Sequence, residues 1–189
     1  GGNGFFGTLS IEDDGNSNFV PDFVAKVGLT QGWGAVWAKV AYDEDLAPLD
    51  INGVALQSFM GARAAGLSGV DGWAASLGAQ INVPNMPGSS LRVIGFYANN
   101  ANAYSVGGRW SVLASYNHVF SPKLSASVGG QYISDTNFAG AGSPNRWIAE
   151  LSVVAVPVQN FEVRLEANYT KNTAQAGYAT GYLRFTRYF

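Results

Sequence analysis

Apolar and polar residues alternate along most of this chain with a period of two, which is typical of β-strands that present two different faces. The clearest example is FEVRLEANYT (161–170), in which Phe161, Val163 and Leu165 alternate with charged residues. Only the segment 53–65 has any helical character. The pattern predicts an all-β protein with ten antiparallel strands. The predicted strands are 5–12, 21–30, 34–42, 72–83, 91–99, 108–119, 124–134, 146–156, 161–170 and 177–189.

The connections between the predicted strands alternate between tight turns and long polar loops. Tight turns are predicted at 31–33, 84–90, 121–123 and 157–160, and longer loops at 13–20, 43–71, 100–107, 135–145 and 171–176. Short turns on one side and long loops on the other are typical of a transmembrane β-barrel, whose long loops face the outside of the cell. Within 43–71, the apolar stretch GVALQSFMGARAA could form a helix or an extra strand. An extra strand would break the alternation, so a folded loop is favoured.

The positions of the aromatic residues along the strands distinguish a membrane barrel from a soluble sheet. A soluble sheet also buries an apolar face, but it has no reason to sort aromatic residues by their position along the strands. On the predicted topology, seven outward Tyr and Trp residues lie near the extracellular ends of their strands, and aromatic residues recur at the opposite ends. Two such girdles around an aliphatic band predict a transmembrane antiparallel β-barrel. The girdle residues are Tyr42, Trp73, Tyr97, Trp110, Tyr132, Trp147 and Tyr169 at one end, with Phe161 and Phe189 at the other.

Composition agrees with an outer face that meets lipid. Of the 189 residues, 24 are Gly, none is Cys, and 13% are charged, which is about half the usual fraction. The longest charge-free run, 72–91, contains two prolines and several amides, so it predicts no transmembrane helix. The net charge of −2 argues against nucleic acid as a partner. The chain begins with Gly rather than Met and shows no signal peptide, which favours a processed or truncated product.

Several phrases resemble the outer-membrane porins of alphaproteobacteria, notably those of the rhizobial group. They are VPDFVAKVGLTQGWG (20–34), VAYDED (40–45), GAQINVP (78–84), YNHVFSPKLSASVGGQYIS (116–134) and the terminal FTRYF. The resemblance runs over most of the chain, and it implies a sixteen-stranded, homotrimeric porin for general diffusion. At 189 residues the chain resembles only the C-terminal ten strands of such a barrel. The inward-folded constriction loop of the family belongs to the part that is missing here.

The charged residues predict where water lies. A charged side chain that faces lipid at the bilayer midplane costs about 2–4 kcal/mol, so charges within the strands are expected to face a lumen. The wall of this lumen is expected to carry seven cations and four anions, one of which is Glu12, so its net charge is +3. Such a wall could concentrate anions, or its Arg and Glu neighbours could mainly brace it. The predicted pore-lining residues are Lys26, Lys39, Arg92, Arg109, Arg146, Glu150, Glu162, Arg164, Glu166 and Arg184.

The remaining carboxylates are expected at the extracellular loops and mouth. They could bind Ca²⁺ through oxygen ligands, but a solvated acidic rim is the favoured interpretation. This set comprises Asp13, Asp14, Asp22, Asp43, Glu44, Asp45, Asp50, Asp71 and Asp135.

Catalysis finds little support in the sequence. Ten-stranded outer-membrane proteases and barrel phospholipases need a histidine near the extracellular rim or at a defined partner spacing. The single histidine, His118, is expected at the opposite end and on the outward parity. No catalytic or metal motif is present, so neither a cofactor nor an enzymatic activity is expected.

The sequence therefore predicts an outer-membrane porin for passive diffusion of small hydrophilic solutes and ions, in contact with outer-membrane lipid and lipopolysaccharide. Two alternatives stay open. One is a substrate-selective channel whose loop 43–71 recognises one class of solute. The other is a small closed ten-stranded barrel with an enzymatic or adhesive role.

Overall fold

A computed structural model of the chain describes residues 2–12, 21–43, 71–173 and 175–189. The described part of the chain has no helix that is long and apolar enough to cross a membrane. The undecided segment 53–65, the loop 13–20 and the acidic residues Asp13, Asp14, Glu44, Asp45 and Asp50 lie outside the described residues.

Ten antiparallel strands form one sheet, in which each strand pairs with its neighbours in the sequence. The predicted all-β class and strand count are confirmed, and each strand end lies within two residues of its predicted position. The strands are β1 (Phe5–Glu12), β2 (Asp22–Gln31), β3 (Gly34–Asp43), β4 (Gly72–Asn82), β5 (Ser90–Ala98), β6 (Trp110–Ser121), β7 (Leu124–Ser134), β8 (Arg146–Val158), β9 (Phe161–Asn172) and β10 (Tyr178–Arg187). We call the end with the tight turns the turn end, and the opposite end the loop end.

The register gives the sheet two faces of different chemistry. Residues that are directly paired lie on the same face, and side chains alternate between the faces along each strand. One face carries Leu77, Val112 and Leu165, and we call it the apolar face. The other carries Lys26 and Arg92, and we call it the polar face.

The sheet has only a small core. Among the described residues, five hydrophobic residues are buried, and four of them are alanines. By contrast, Leu77, Leu165 and Phe185 on the apolar face are 68%, 52% and 62% exposed. A soluble sheet of this size would bury these side chains against a second layer. The apolar face therefore needs an apolar environment from outside the sheet.

Glycine allows one large side chain to lie flat on the polar face. The indole of Trp37 on β3 covers Gly78, its neighbour on β4. A Cβ atom at Gly78 would lie only 2.3 Å from the Trp37 ring. This close approach fixes the indole against the sheet.

The edges of the sheet are β1 and β10, which are not paired with each other. The sheet is therefore open in this structure.

Candidate functional site

Nearly all charged side chains of the strands lie on the polar face. Two exceptions, Lys171 and Arg187, are paired with Trp147 and Phe161 on the apolar face, near opposite ends of the strands. Nine of the ten predicted pore-lining residues lie on the polar face within strands, and the tenth, Arg109, directly precedes β6. Their role in lining a pore stays a prediction. The nine are Lys26, Lys39, Arg92, Arg146, Glu150, Glu162, Arg164, Glu166 and Arg184.

Two carboxylates that were expected at the loops and mouth belong to this face as well. Asp22 is paired with Glu12, and Asp43 is paired with Gly72, so both side chains lie on the polar face at the loop end. Both are buried. Within the described strands the polar face thus carries six cations and six carboxylates, a net charge of zero rather than the +3 expected, and Arg109, which precedes β6, is paired with Asp135, which follows β7. The strand pattern contained this signal, because Asp22 has the same parity as Lys26.

Near the turn end of β9 and β10, ion pairs brace the polar face. Nε of Arg164 lies 3.0 Å from Oε1 of Glu162, and its Nη1 lies 3.6 Å from Oε1 of Glu166. Nη2 of Arg184 lies 3.7 Å from the same Glu162 oxygen. Ion pairs near a protein surface are worth about 0–1 kcal/mol each. Their main effect is to fix where two guanidinium groups stand.

Arg109 clamps two loops at the loop end. Its Nε donates to Oδ2 of Asp135 over 2.7 Å, while Nη1 and Nη2 donate to the carbonyl oxygens of Asn99 and Phe138. Its hydrogen bond with Asp135 raises the pKa of Arg109. Burial raises the pKa of the Asp135 carboxyl, but hydrogen bonds from Ser143, Arg109 and the Gly140 amide outweigh it, so this pKa lies below its ordinary value. Asp135 therefore stays charged and holds the clamp.

The connection between β5 and β6, residues 99–109, folds back over the polar face. The Tyr104 hydroxyl lies 2.9 Å from Oδ2 of Asp22 and 3.1 Å from Oε2 of Glu12. The Ala103 amide donates to Oδ2 of Asp43 over 2.6 Å. Nζ of Lys39 lies 6.0 Å from the centre of the Tyr104 ring. The loop thus crosses the loop ends of β3 and β4 to reach β1 and β2.

The environment of the Tyr104 hydroxyl keeps it protonated. Its pKa is raised above the ordinary value, first by burial and then by the carboxylates of Asp22 and Glu12. Sequence reasoning missed this contact, because strand periodicity says nothing about the path of a loop.

Three transverse rows of side chains cross the middle of the polar face, from β5 to β8. The central row runs Arg92, Ser115, Gly129, Glu150. The row nearer the loop end runs Ile94, Leu113, Gln131, Ile148. The row nearer the turn end runs Ser90, Asn117, Ser127, Ser152. A recess of about 420 Å³ lies over the central and turn-side rows, and a second of about 220 Å³ lies over the central and loop-side rows.

On the apolar face, aromatic residues form a band near the loop end. Tyr42 is paired with Trp73, Tyr97 with Trp110, and Tyr132 with Trp147. The ring centres of Trp73 and Tyr97 lie 5.1 Å apart, those of Trp110 and Tyr132 5.2 Å, and those of Tyr132 and Trp147 4.5 Å. Rings at such distances attract each other beyond their area burial. Tyr169 continues the band on β9.

Aromatic residues also occur near the turn end of the apolar face. The Phe161 ring stacks on that of Phe185, with centres 6.3 Å apart. Phe189 lies two residues beyond the end of β10 and is fully exposed. Contact of either group with lipid stays a prediction.

His118 lies on the apolar face towards the turn end, paired with Ala126. Its Nδ1 is 2.8 Å from the Tyr116 hydroxyl, and its ring contacts Phe120 edge-on. In the described ranges, no group of three or more His, Cys, Asp or Glu residues is placed to hold a metal ion. The described acidic residues at the loop end instead bind Tyr42, Tyr104, Arg109 and backbone amides.

Comparison with known proteins finds one family. The profile of a porin subfamily matches residues 2–184 of the chain. No curated protein matches the chain.

Proposed function

Because the chain belongs to the porin family, which makes it an outer-membrane porin-type channel, we propose that it supports passive diffusion of small hydrophilic solutes and ions. The polar face would line a water-filled lumen, and the apolar face would meet membrane lipid and lipopolysaccharide.

One observation carries this proposal: the separation of charge between the two faces. Within the described strands, only Lys171 and Arg187 among the charged residues lie on the apolar face, and both are near strand ends. A charge on the lipid side is costly at the midplane and costs little near the interfaces. The distribution is what a wall between lipid and water requires.

The mechanism needs no chemical step. Ions and solutes move down their gradients, and the fixed charges of the wall bias which of them enter. The loop 99–109 narrows the space above β1–β4, because Tyr104 holds it over the polar face. We propose that this loop contributes to the size limit of the channel.

Planar-bilayer recordings test the function. The purified protein should produce stepwise conductance that is ohmic and rises in proportion to KCl concentration. Uptake of neutral sugars into proteoliposomes should slow steadily with sugar size. Absence of conductance from a correctly inserted protein would overturn the proposal.

We further propose that additional strands pair with the edges of β1 and β10 to complete a larger barrel. Unpaired backbone amides and carbonyls cannot face hydrocarbon without a cost of several kcal/mol each. The 189-residue chain has a mass of 19.9 kDa. A mature protein of that mass would contradict the larger barrel and require β1 to pair with β10.

A homotrimer is also proposed. Its support is the family resemblance of the sequence, together with an apolar face that needs an apolar partner. Native mass measurement of the detergent-solubilised protein tests it, and a single-copy complex would count against it.

A further inference from the structure

We propose that the two recesses, which share the central row of the polar face and together form one central recess, are a subsite for zwitterionic solutes of dipeptide size that carry an aliphatic side chain. This inference rests on the proposed function, since it assigns a solute class to the same channel wall. It is independent of the loop at 99–109.

The charges of the recess stand at its two ends. Arg92 and Glu150 belong to one transverse row, with Ser115 and Gly129 between them. Three strand spacings separate the Cα atoms of Arg92 and Glu150 by about 14 Å. An extended dipeptide spans about 7 Å. A solute with an ammonium group at one end and a carboxylate at the other therefore fits between the two side chains.

The guanidinium of Arg92 is turned away from Glu150. Its Nε lies 3.1 Å from Oε1 of Gln80 on β4, and Nη2 donates to the same oxygen. Neither Arg92 nor Glu150 forms an ion pair within the described ranges. This contrasts with the braced cluster around Arg164. The two opposite charges therefore border the recess on opposite sides, and neither is neutralised by an ion pair with a described residue.

The middle of the recess is made of small side chains. Ser115 and Gly129 leave the space between the charges open, and a Cβ atom at Gly129 would come within 3.2 Å of the Ser115 Cβ. Hydroxyl groups from Ser90 and Ser127 line the turn side. They can exchange hydrogen bonds with a peptide group.

The loop side of the recess is aliphatic. Ile94, Leu113 and Ile148 line it, although they lie on the polar face. Apolar side chains on a water-facing wall favour a solute with an apolar part. Ions alone, or a simple sugar, would leave them without a partner. A charge at each end, polar groups on one side and aliphatic groups on the other match a short peptide.

The test compares a dipeptide with its uncharged form. Alanyl-leucine and N-acetyl-alanyl-leucine amide are added to the purified protein in planar bilayers, and the concentration for half-maximal reduction of KCl current is measured. We expect the free dipeptide to act at a concentration about threefold to fivefold lower than the capped form. Arg92→Gln and Glu150→Gln should each abolish that difference.

Matched controls remove the same charges elsewhere on the polar face. Lys26→Gln and Glu166→Gln should retain the preference for the free dipeptide. Gly129→Ala changes no charge but narrows the recess, so it should weaken block by the free dipeptide. This variant keeps the test decisive if a charge variant fails to insert.

Three results would overturn the inference while the channel still conducts. They are equal block by free and capped dipeptide, loss of the preference in Arg92→Gln alone, and stronger block by a neutral disaccharide. The second would indicate an anion site, and the third a sugar site. Absence of KCl conductance would instead overturn the proposed function, and this inference with it.

Discussion

The hydroxyl oxygen of Tyr104 lies 2.9 Å from Oδ2 of Asp22, although 82 residues separate the two in the chain. Tyr104 belongs to the connection after β5, whereas Asp22 begins β2. Three strand spacings, about 14 Å, lie between those strands. This hydrogen bond therefore holds the loop 99–109 across the loop end of the sheet.

Removing the Tyr104 hydroxyl should release this loop. In Tyr104→Phe, the hydrogen bonds to Asp22 and Glu12 are lost, and docking of residues 99–109 should weaken by about 1.5–3 kcal/mol. Hydrogen exchange of this segment should accelerate, and proteoliposomes should take up a trisaccharide faster relative to a monosaccharide. Tyr182→Phe is the control, since Tyr182 lies on the same face and its hydroxyl has no protein partner among the described residues. Equal exchange and uptake in both variants would contradict the role of Tyr104.

Acid should open the neighbouring loop, 135–145. A carboxyl whose pKa is lower in the folded state stabilises that state above its unfolded pKa, about 3.9 for Asp, and loses the contribution as the pH falls through the folded pKa. The pKa of Asp135 is lowered in this way. Hydrogen exchange in 135–145, corrected for intrinsic rates, should stay slow from pH 7 down to about pH 4 and rise below it. Asp135→Asn should be fast throughout, while Asp71→Asn should behave like the unsubstituted protein in this segment.

Tryptophan fluorescence should distinguish the two faces. Trp110 and Trp147 lie on the apolar face, whereas Trp37 lies on the polar face over Gly78. In single-tryptophan variants in bilayers, brominated lipid should quench Trp110 and Trp147 strongly and Trp37 weakly. A water-soluble quencher should reverse that order. Strong quenching of Trp37 by brominated lipid would contradict the assignment of the faces.

Two glycines on adjacent strands allow a matched comparison of how an added methyl group changes the free energy of unfolding. Gly78→Ala forces a methyl group into the Trp37 indole, so we expect a loss of about 1–3 kcal/mol in the free energy of unfolding. No described residue lies within 4 Å of a Cβ atom at Gly95, so Gly95→Ala should change that free energy by less than about 0.5 kcal/mol. Urea unfolding from detergent micelles measures both variants. Similar losses would show that the close approach of Trp37 does not matter.

Neutralising Glu162 should shift ion selectivity. Its carboxylate contacts both Arg164 and Arg184. In Glu162→Gln, these guanidinium groups lose a shared counter-charge, and the wall becomes more attractive to anions. The reversal potential in a KCl gradient should move towards that of chloride. Arg187→Gln, on the apolar face, should leave the potential unchanged, and a shift of the same size there would mean that surface charge dominates.

The strands and faces were predictable because each depends on a short pattern. The alternation of Phe161, Val163 and Leu165 with charged residues sets the parity of β9, and the register preserves it across the sheet. The same reasoning, applied to β2, would have placed Asp22 beside Lys26 on the polar face.

Contacts that join distant segments were not predictable in this way. The hydrogen bonds of Tyr104 with Asp22 and Glu12 depend on how a loop turns, which no periodicity encodes. The row from Arg92 to Glu150 needs the register of three strand pairs, and a shift of one residue in any of them would move the side chains to the other face. The roles of Arg109 and Asp135 as loop clamps follow from the same kind of long-range geometry.

The order of the strands has a kinetic consequence. Each strand pairs only with its predecessor and successor, so the whole sheet can be assembled as a series of hairpins. Four of the nine closures involve tight turns, for which the entropic cost of bringing two strands together is small. Folding can then advance by adding one strand at a time to a growing edge, and among the ten described strands no pairing joins strands that are remote in the chain.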